Sequence, residues 1–233
     1  MNRKIIFFIP IISVFLMLLT RSFFPQLDFY RSMIREDGPI EYFTVIMYLM
    51  SFVISILLAR SFRKERKFFV VFTIFSIGFL LISMEEISWG QRIFNFNNPS
   101  WFPHNVQNET NLHNLAILMP YQHGAIMAVS IYGILGWIVF PKIQKTFQIF
   151  GKKTYRTILQ IIIPSRYLIG YFIPIFITLL LFDLRYSPIT KINLGIKFIM
   201  YETEPFELLM AVGIFIFLFQ SYIQRKNAGK TVC

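Results

Sequence analysis

Cysteine, histidine and charged side chains are all scarce in this chain of 233 residues. The single cysteine, Cys233, excludes an intrachain disulfide framework and a metal site built from several thiolates. Charged residues make up 15% of the chain, against roughly 25% in a typical soluble domain, whereas 55% of the residues are hydrophobic and 18% are aromatic. One core of this size could not bury so much apolar surface and keep a wettable exterior, and disordered chains are poor in apolar residues. The composition therefore predicts an integral membrane protein.

Six apolar stretches are long enough to cross a membrane as helices, since a span needs about 20 mostly apolar residues and somewhat shorter runs are tolerated. They cover residues 5–20, 40–59, 68–84, 115–140, 167–182 and 205–223. The range 157–163 is also apolar, and Pro164 separates it from the fifth stretch. Residues 157–182 therefore form either one kinked span or an interfacial helix followed by a span. With short loops and no internal repeat, the sequence predicts a single all-α domain over residues 1–233, a polytopic transmembrane bundle of about six helices.

Basic residues are distributed unequally between the two ends of these spans. If the N-terminus is cytoplasmic, 15 of the 23 Lys and Arg residues lie on the cytoplasmic side, Arg166 lies at the membrane edge on that side, and seven lie on the other side. Such a bias in short loops sets the orientation, so we expect both termini in the cytoplasm. The net charge of +11 is then a topology signal with attraction to anionic lipid headgroups, and does not indicate nucleic-acid binding. No small-residue cleavage site follows the first apolar run, which predicts a retained helix rather than a signal peptide.

The acidic residues show the opposite distribution. Of twelve Asp and Glu, only Glu65 lies on the predicted cytoplasmic side, and all three histidines lie in the outer half. The positive-inside rule says little about acids, so it does not explain this separation. Unpaired carboxylates at a membrane are costly. We therefore expect the outer carboxylates to be neutralised by protons, by basic side chains or by a bound cation.

Two pairs of acids stand at the start of a predicted span. Asp37 and Glu41 precede and enter the second span, and Glu204 and Glu207 do the same at the sixth. Acids are favoured at helix N-termini, where they cap N–H groups and complement the helix dipole. Capping is therefore an alternative to a functional role, and it explains Asp37 and Glu204 better than the acids that lie one turn further in.

A third acidic pair, Glu85 and Glu86, ends the third predicted span. Carboxylates oppose the dipole at this end of a helix, so capping does not account for them. Successive helical residues diverge by about 100°, so we expect one carboxylate to face the bundle interior and the other to face the interface or another helix. The alternative is an exposed loop start. It is disfavoured by Trp89, Gln91 and Arg92, an interface-seeking indole and two polar side chains suited to holding carboxylates.

The long outer loop adds a Glu/His pair. Glu109 and His113 are four residues apart, and therefore on one face if the segment is helical. Such a pair can bind a metal, or the carboxylate can orient the imidazole, although a polar helix entry is an equal alternative. His123 lies within the fourth predicted span, where an ionisable side chain is a functional candidate.

Part of this region resembles a known signature. The string Glu85-Glu86-Ile87-Ser88-Trp89-Gly90-Gln91-Arg92 is followed by Asn105, Gln107, Glu109, Asn111, His113 and Asn114. This pattern resembles that of a group of bacterial polytopic membrane proteins, and the similarity covers mainly residues 36–114. The resemblance implies a location in the bacterial inner membrane and carries no particular activity with it.

The leading hypothesis is a membrane-embedded hydrolase or transferase whose site opens at the outer membrane face and acts on a lipid or lipid-linked substrate. The expected cofactor is a divalent metal that activates water. The candidate catalytic residues are Glu85, Glu86 and His113. The candidate metal ligands are Glu41, Glu86, Glu109, His113 and Glu207. The expected supporting residues are Asp37, Gln91, Arg92, Gln107, Asn111, His123 and Glu204. Two alternatives remain open, an ion- or proton-coupled transporter and a structural or assembly subunit of an envelope complex.

Overall fold

The computed structural model describes residues 3–23, 28–35, 37–100, 110–112, 115, 118–148, 151–186 and 203–230. All regular secondary structure in these ranges is helical. The helices are α1 (Arg3–Phe23), α2 (Asp28–Ile34), α3 (Pro39–Ser61), α4 (Arg66–Glu86), α5 (Gln91–Phe94), α6 (Met119–Phe147), α7 (Lys152–Ile161), α8 (Ile169–Tyr186) and α9 (Glu204–Lys230). The predicted all-α class is therefore confirmed.

Each of the six predicted spans coincides with one helix. Five of them, α1, α3, α4, α6 and α9, are long and apolar enough to cross a membrane, and α8 contains a shorter apolar stretch. Most of these helices extend a few residues beyond the predicted limits, because polar residues continue a helix past its apolar segment. The fourth is also displaced at its start, since α6 begins at Met119. The helices confirm the predicted transmembrane bundle.

The ambiguous range 157–182 contains two separate helices. α7 is amphipathic and ends at Ile161, and a short 3₁₀ turn at Arg166–Leu168 leads into α8. Pro164 lies between them, where its ring and missing N–H prevent a continuous helix. The buried residues Ile158 and Ile161 lie on α7, which packs against α9. Of the two alternatives, the structure has a separate amphipathic helix followed by an apolar helix.

Helix α3 is central to one half of the bundle, since it packs along both α4 and α9. The short turn after α3 makes α3 and α4 an antiparallel pair. At this turn, Arg225 Nη2 of α9 donates to Glu65 Oε1 at 2.8 Å and to the Ser61 carbonyl oxygen at 3.2 Å. We call this end of the bundle the basic end, and the opposite end, where α4 ends and α3 and α9 begin, the acidic end. The ion pair fastens α9 to the α3–α4 turn at the basic end.

Apolar side chains fill the space between α3, α4 and α9 near the basic end. Leu58, Phe62, Phe72 and Leu218 are fully buried in one cluster with Ala59 and Ile161. The rings of Phe62 and Phe72 stack with their centroids 5.7 Å apart. We call these six residues the apolar plug. They separate the acidic half of the α3–α4–α9 group from its basic end.

The other half of the bundle depends on close helix crossings at glycine. A Cβ atom at Gly170 in α8 would overlap the Phe7 carbonyl oxygen of α1. A Cβ atom at Gly133 in α6 would overlap the Phe172 ring of α8. Small residues let helices approach closely in membranes, where packing and hydrogen bonds drive association. The two glycines therefore let α8 approach α1 and α6 closely.

Candidate functional site

The two carboxylates at the end of α4 point in different directions. Glu86 approaches the start of α9, where Glu204 and Glu207 lie. Glu85 instead accepts hydrogen bonds from the Trp89 indole and from the Leu112 backbone N–H, each at 2.6 Å. This divergence is what the 100° rotation between successive helical residues requires. Glu86 therefore faces the start of α9. Glu85 is bonded instead to residues that follow α4 in the chain, namely 88–94 and 110–112, which we call the covering segment.

Glu86, Glu204 and Glu207 form a compact group, which we call the carboxylate triad. One oxygen atom from each side chain lies within 4.8 Å of the others, and all three residues are half-buried. Glu204 and Glu207 occupy the first turn of α9, a position where the helix dipole favours negative charge. Glu86 is at the C-terminal end of α4, where the dipole opposes it. The helix dipole therefore favours a negative charge at two members of the triad and disfavours it at the third.

Two further groups of α3 stand near the triad. Glu41, in the first turn of α3, lies close enough to Glu86 to interact with it electrostatically. Its Oε2 atom also accepts a hydrogen bond from the Asp37 backbone N–H, so Glu41 closes the turn before α3. Tyr48, two turns further along α3, is buried and lies within electrostatic range of Glu86 and Glu207. The α3 helix thus contributes an acid and a phenol to the same end of the bundle.

A left-handed turn after α4 holds Glu85 in place. Ser88, Trp89 and Gly90 have φ angles of 47°, 56° and 80° in succession. Only glycine adopts this region without strain, and each of the other two residues costs about 1–3 kcal/mol there. The turn reverses the chain so that the indole of Trp89 returns to the carboxylate one helical turn earlier. Hydrogen bonding to Glu85 offsets part of the strain.

The same turn is joined to the segment Thr110–Leu112. Asn111 is buried, and its Nδ2 donates to Ser88 Oγ at 2.9 Å. The Thr110 backbone N–H donates to Gln91 Oε1 at 2.6 Å. Together with the bond from Leu112 to Glu85, these contacts connect the two parts of the pattern noted in the sequence. Gln91 and Asn111 are therefore hydrogen-bond partners of the chain around Glu85, and their supporting role at a functional site stays a prediction.

A cavity of about 370 Å³ opens beside the triad, between α4 and α6. Its polar lining comes from Tyr48, Glu85, Glu86, Gln122 and Glu207. The rest of the wall is apolar and comes from Phe79, Leu81, Ile82, Ala125, Ile126, Val129, Met210 and Ile214. Leu81, Ile82 and Val129 are 47%, 39% and 38% exposed, so this wall reaches the outer surface of the bundle. The cavity thus has a carboxylate-rich end and an apolar rim on the exposed outer surface of the bundle.

A second apolar cavity lies on the other side of the α9 start. It has a volume of about 430 Å³ and is bounded by α1, α2, α3 and α9. Pro205, Leu208, Leu209 and Val212 line it, and they alternate along α9 with Glu204, Glu207 and Met210. The first turns of α9 therefore lie between the two cavities, and Glu204 and Glu207 of the triad lie on these turns.

The structure brings some of the predicted site residues together. Glu85, Glu86 and Glu207 line one cavity, Glu41 lies near them, and Glu204 joins the triad. His123 is half-buried in α6, but among the described residues Gln122 lines the cavity in its place. Gln107, Glu109 and His113 lie outside the described residues, as does the side chain of Arg92. The predicted Glu/His metal pair and the roles of these residues stay predictions.

Two cavity residues, Tyr48 and Gln122, were not anticipated from the sequence. Tyr48 stands seven residues after Glu41, which places both on one face of α3. This spacing is the feature of the sequence from which Tyr48 could have been predicted to lie near Glu41. Gln122 lies next to His123 near the start of α6, and only its direction into the cavity distinguishes the two polar neighbours.

Comparison of the chain with protein-family models, with curated protein sequences and with solved structures gives no match.

Proposed function

We propose that this protein is a membrane-embedded enzyme that binds a divalent cation at the carboxylate triad and hydrolyses or transfers a polar group of a lipid or lipid-linked substrate. The observation that carries the proposal is the position of the triad. Two of its carboxylates, Glu86 and Glu207, line the polar end of a cavity whose apolar rim is exposed on the outer surface of the bundle, and Glu204 lies beside them. The triad could hold a metal or act as an acid–base centre, and the adjacent cavity could hold a hydrocarbon chain.

The charge of the triad favours a bound cation. Two ionised carboxylates about 4.8 Å apart repel each other by roughly 3 kcal/mol at an effective dielectric constant of 20. Glu41 and Glu85 add to the negative potential at Glu86. A divalent ion with oxygen ligands removes this repulsion, and carboxylates from two helices are ligands that such hard cations prefer. A water bound to that ion would have a lowered pKa and would serve as the nucleophile.

The cavity favours a substrate with a hydrocarbon chain. Its wall is almost entirely apolar away from the carboxylates, and its rim lies among exposed apolar side chains of α4 and α6. A lipid could enter sideways from the bilayer between these helices and keep its chain in an apolar environment. Its polar group would then meet Glu86 and Glu207. A water-soluble substrate would gain nothing from such an entrance.

The apolar plug argues for an enzyme rather than an ion-coupled transporter. A carrier needs a polar route from its carboxylates to the opposite membrane face. In the α3–α4–α9 group, the buried serines Ser51 and Ser55 follow Tyr48 along α3, and the residues beyond them, Leu58, Phe62, Phe72 and Leu218, are apolar and fully buried. This arrangement suits a site that opens to one side of the membrane only.

Metal analysis of the purified protein tests the proposal. Wild type and the isosteric variants Glu86→Gln and Glu207→Gln are dialysed against trace Mg²⁺, Mn²⁺, Zn²⁺ and Ca²⁺, and bound metal is measured by mass spectrometry. We expect about one ion per wild-type chain and loss of that ion in both variants, because each loses a charged ligand. Asp28→Asn is the matched control, since Asp28 is an exposed acid at the start of α2, outside the triad.

Activity and stability are measured on the same samples. We expect Glu86→Gln to abolish turnover of lipid substrates in vesicles and to leave the protein folded, because the amide keeps the shape of the side chain and removes its charge. We expect His113→Ala to abolish turnover as well, because it removes a proposed metal ligand. Equal metal content in wild type and Glu86→Gln would contradict the metal site. Ion or proton flux through proteoliposomes, abolished by Glu86→Gln, would instead establish the transporter alternative.

A further inference from the structure

A second polar cavity lies at the basic end of the bundle, remote from the triad. It has a volume of about 320 Å³ and lies between the start of α1, α6 and the 3₁₀ turn before α8. Arg3 and Lys4 of α1 and Arg166 of the turn line it, with the aromatic residues Phe7, Phe8, Trp137 and Tyr167. Among the described residues that line it, none is acidic.

The polar groups of this cavity are hydrogen-bond donors. Guanidinium and ammonium groups and the indole N–H donate and cannot accept. The Trp137 Nε1 atom is buried and has no hydrogen-bond partner within the described part of the chain. A buried donor without a partner costs free energy, so an acceptor at this position would stabilise the protein. Three cations and an indole therefore surround a space that suits an anionic ligand rich in acceptor oxygens.

The aromatic wall is fixed by contacts with other helices. The Tyr167 hydroxyl donates a hydrogen bond to Gln220 Oε1 of α9, and the Arg3 guanidinium lies over the Tyr167 ring at 5.8 Å from its centroid. Arg3 is thereby held beside the cavity. The Phe7 backbone approaches Gly170 closely, which positions the start of α1 against α8. The site is therefore assembled from three helices and not from one flexible segment.

We propose that this cavity binds the phosphate group of an anionic phospholipid from the membrane leaflet next to the basic end. The site lies where Arg3 and Arg166 flank the apolar surfaces of α1 and α8, so a lipid could place its phosphate among the cations and its chains on those surfaces. Phosphate accepts charge-assisted bonds from guanidinium groups and one more from the indole N–H. The inference is independent of the enzymatic role of the triad.

Native mass spectrometry of the detergent-solubilised protein tests this site. Wild type is titrated with phosphatidylglycerol and, separately, with phosphatidylcholine of the same acyl chains. We expect a selective first phosphatidylglycerol site, and a loss of at least about tenfold in its affinity in the Arg166→Gln/Trp137→Phe double variant, which removes one cation and the indole donor. Trp137→Phe alone keeps every charge and should lose part of that affinity.

Arg63→Gln is the matched control, because Arg63 is an exposed arginine at the same end and outside the cavity. We expect its affinity to change by less than about twofold, since a surface charge acts only through the screened leaflet potential. Equal losses in the control and the double variant, or none in either, would overturn the proposal. Complete displacement of the lipid by millimolar inorganic phosphate would also overturn it, because the site would then belong to a soluble anion. Size-exclusion profiles identical to wild type show that the variants are folded.

Discussion

The Trp89 indole donates a hydrogen bond to the carboxylate of Glu85, one helical turn earlier in the chain, at 2.6 Å. This contact exists because Ser88, Trp89 and Gly90 adopt left-handed backbone conformations that fold the chain back over the end of α4. The two adjacent acids therefore have different contacts. Glu85 is occupied by the covering segment, which leaves Glu86 as the member of the pair that meets Glu204 and Glu207.

Replacing Trp89 by Phe should destabilise this covering segment. The change keeps an aromatic ring and removes the donor to Glu85, and the bond is partly exposed, so we expect a loss of about 1 kcal/mol. For a chain of this size that corresponds to a fall in Tm of about 2–4 °C, measured by thermal unfolding in detergent. Phe94→Leu is the control, since Phe94 is 76% exposed and should leave Tm unchanged. An unchanged Tm in Trp89→Phe would show that the bond contributes nothing.

Replacing Gly170 by Ala should weaken the crossing of α1 and α8. The added methyl group would overlap the Phe7 carbonyl oxygen, which is backbone and cannot rotate away. Overpacking of this kind costs typically 1–3 kcal/mol, which should lower both Tm and the yield of folded protein. Gly124→Ala is the control, because a Cβ atom there meets no other atom within 4 Å and alanine is the better helix former. Equal stability of the two variants would contradict the close helix approach.

The ion pair between Arg225 and Glu65 should contribute little by itself. The two side chains are 30% and 36% exposed, and exposed pairs are screened by solvent. A double-mutant cycle with Arg225→Gln and Glu65→Gln should give a coupling free energy of about 0.2–1 kcal/mol, measured by chemical or thermal unfolding. A larger loss is expected for Arg225→Gln than for Glu65→Gln, because Arg225 also contacts the Ser61 carbonyl and the face of the Phe62 ring. The reverse order would show that these additional contacts are without effect.

The distribution of basic residues predicts the orientation of the bundle, and reporter fusions can test this prediction. A reporter fused after Lys230 should be active in the cytoplasm, and one inserted in the range 95–105 should be active on the outside. If both reporters gave the opposite result, the acidic end would face the cytoplasm. The proposed site would then serve the other leaflet.

The helices and the divergence of Glu85 and Glu86 were predictable because both depend on local rules. The length of an apolar run decides whether a helix crosses hydrocarbon, and the 100° helical rotation decides that adjacent side chains separate. Pro164 similarly marked the break before α8, although its presence alone did not decide between a kink and two helices. The pairing of Asn111 with Ser88 was not predicted, since the residues are distant in the chain and no periodicity connects them.

Hydrophobic length and charge distribution are properties of the chain alone, so they were enough to predict a helical membrane protein with its acids concentrated at one end. Which acids meet depends on how the helices pack. Glu204, which capping explained well enough, joins Glu86 and Glu207, while Glu85 turns away to Trp89 and Leu112. Helix rotation and crossing distance decide such contacts. They are set by side chains fitting together across α3, α4 and α9, and by glycines that admit a neighbouring helix, which no pattern within one segment encodes.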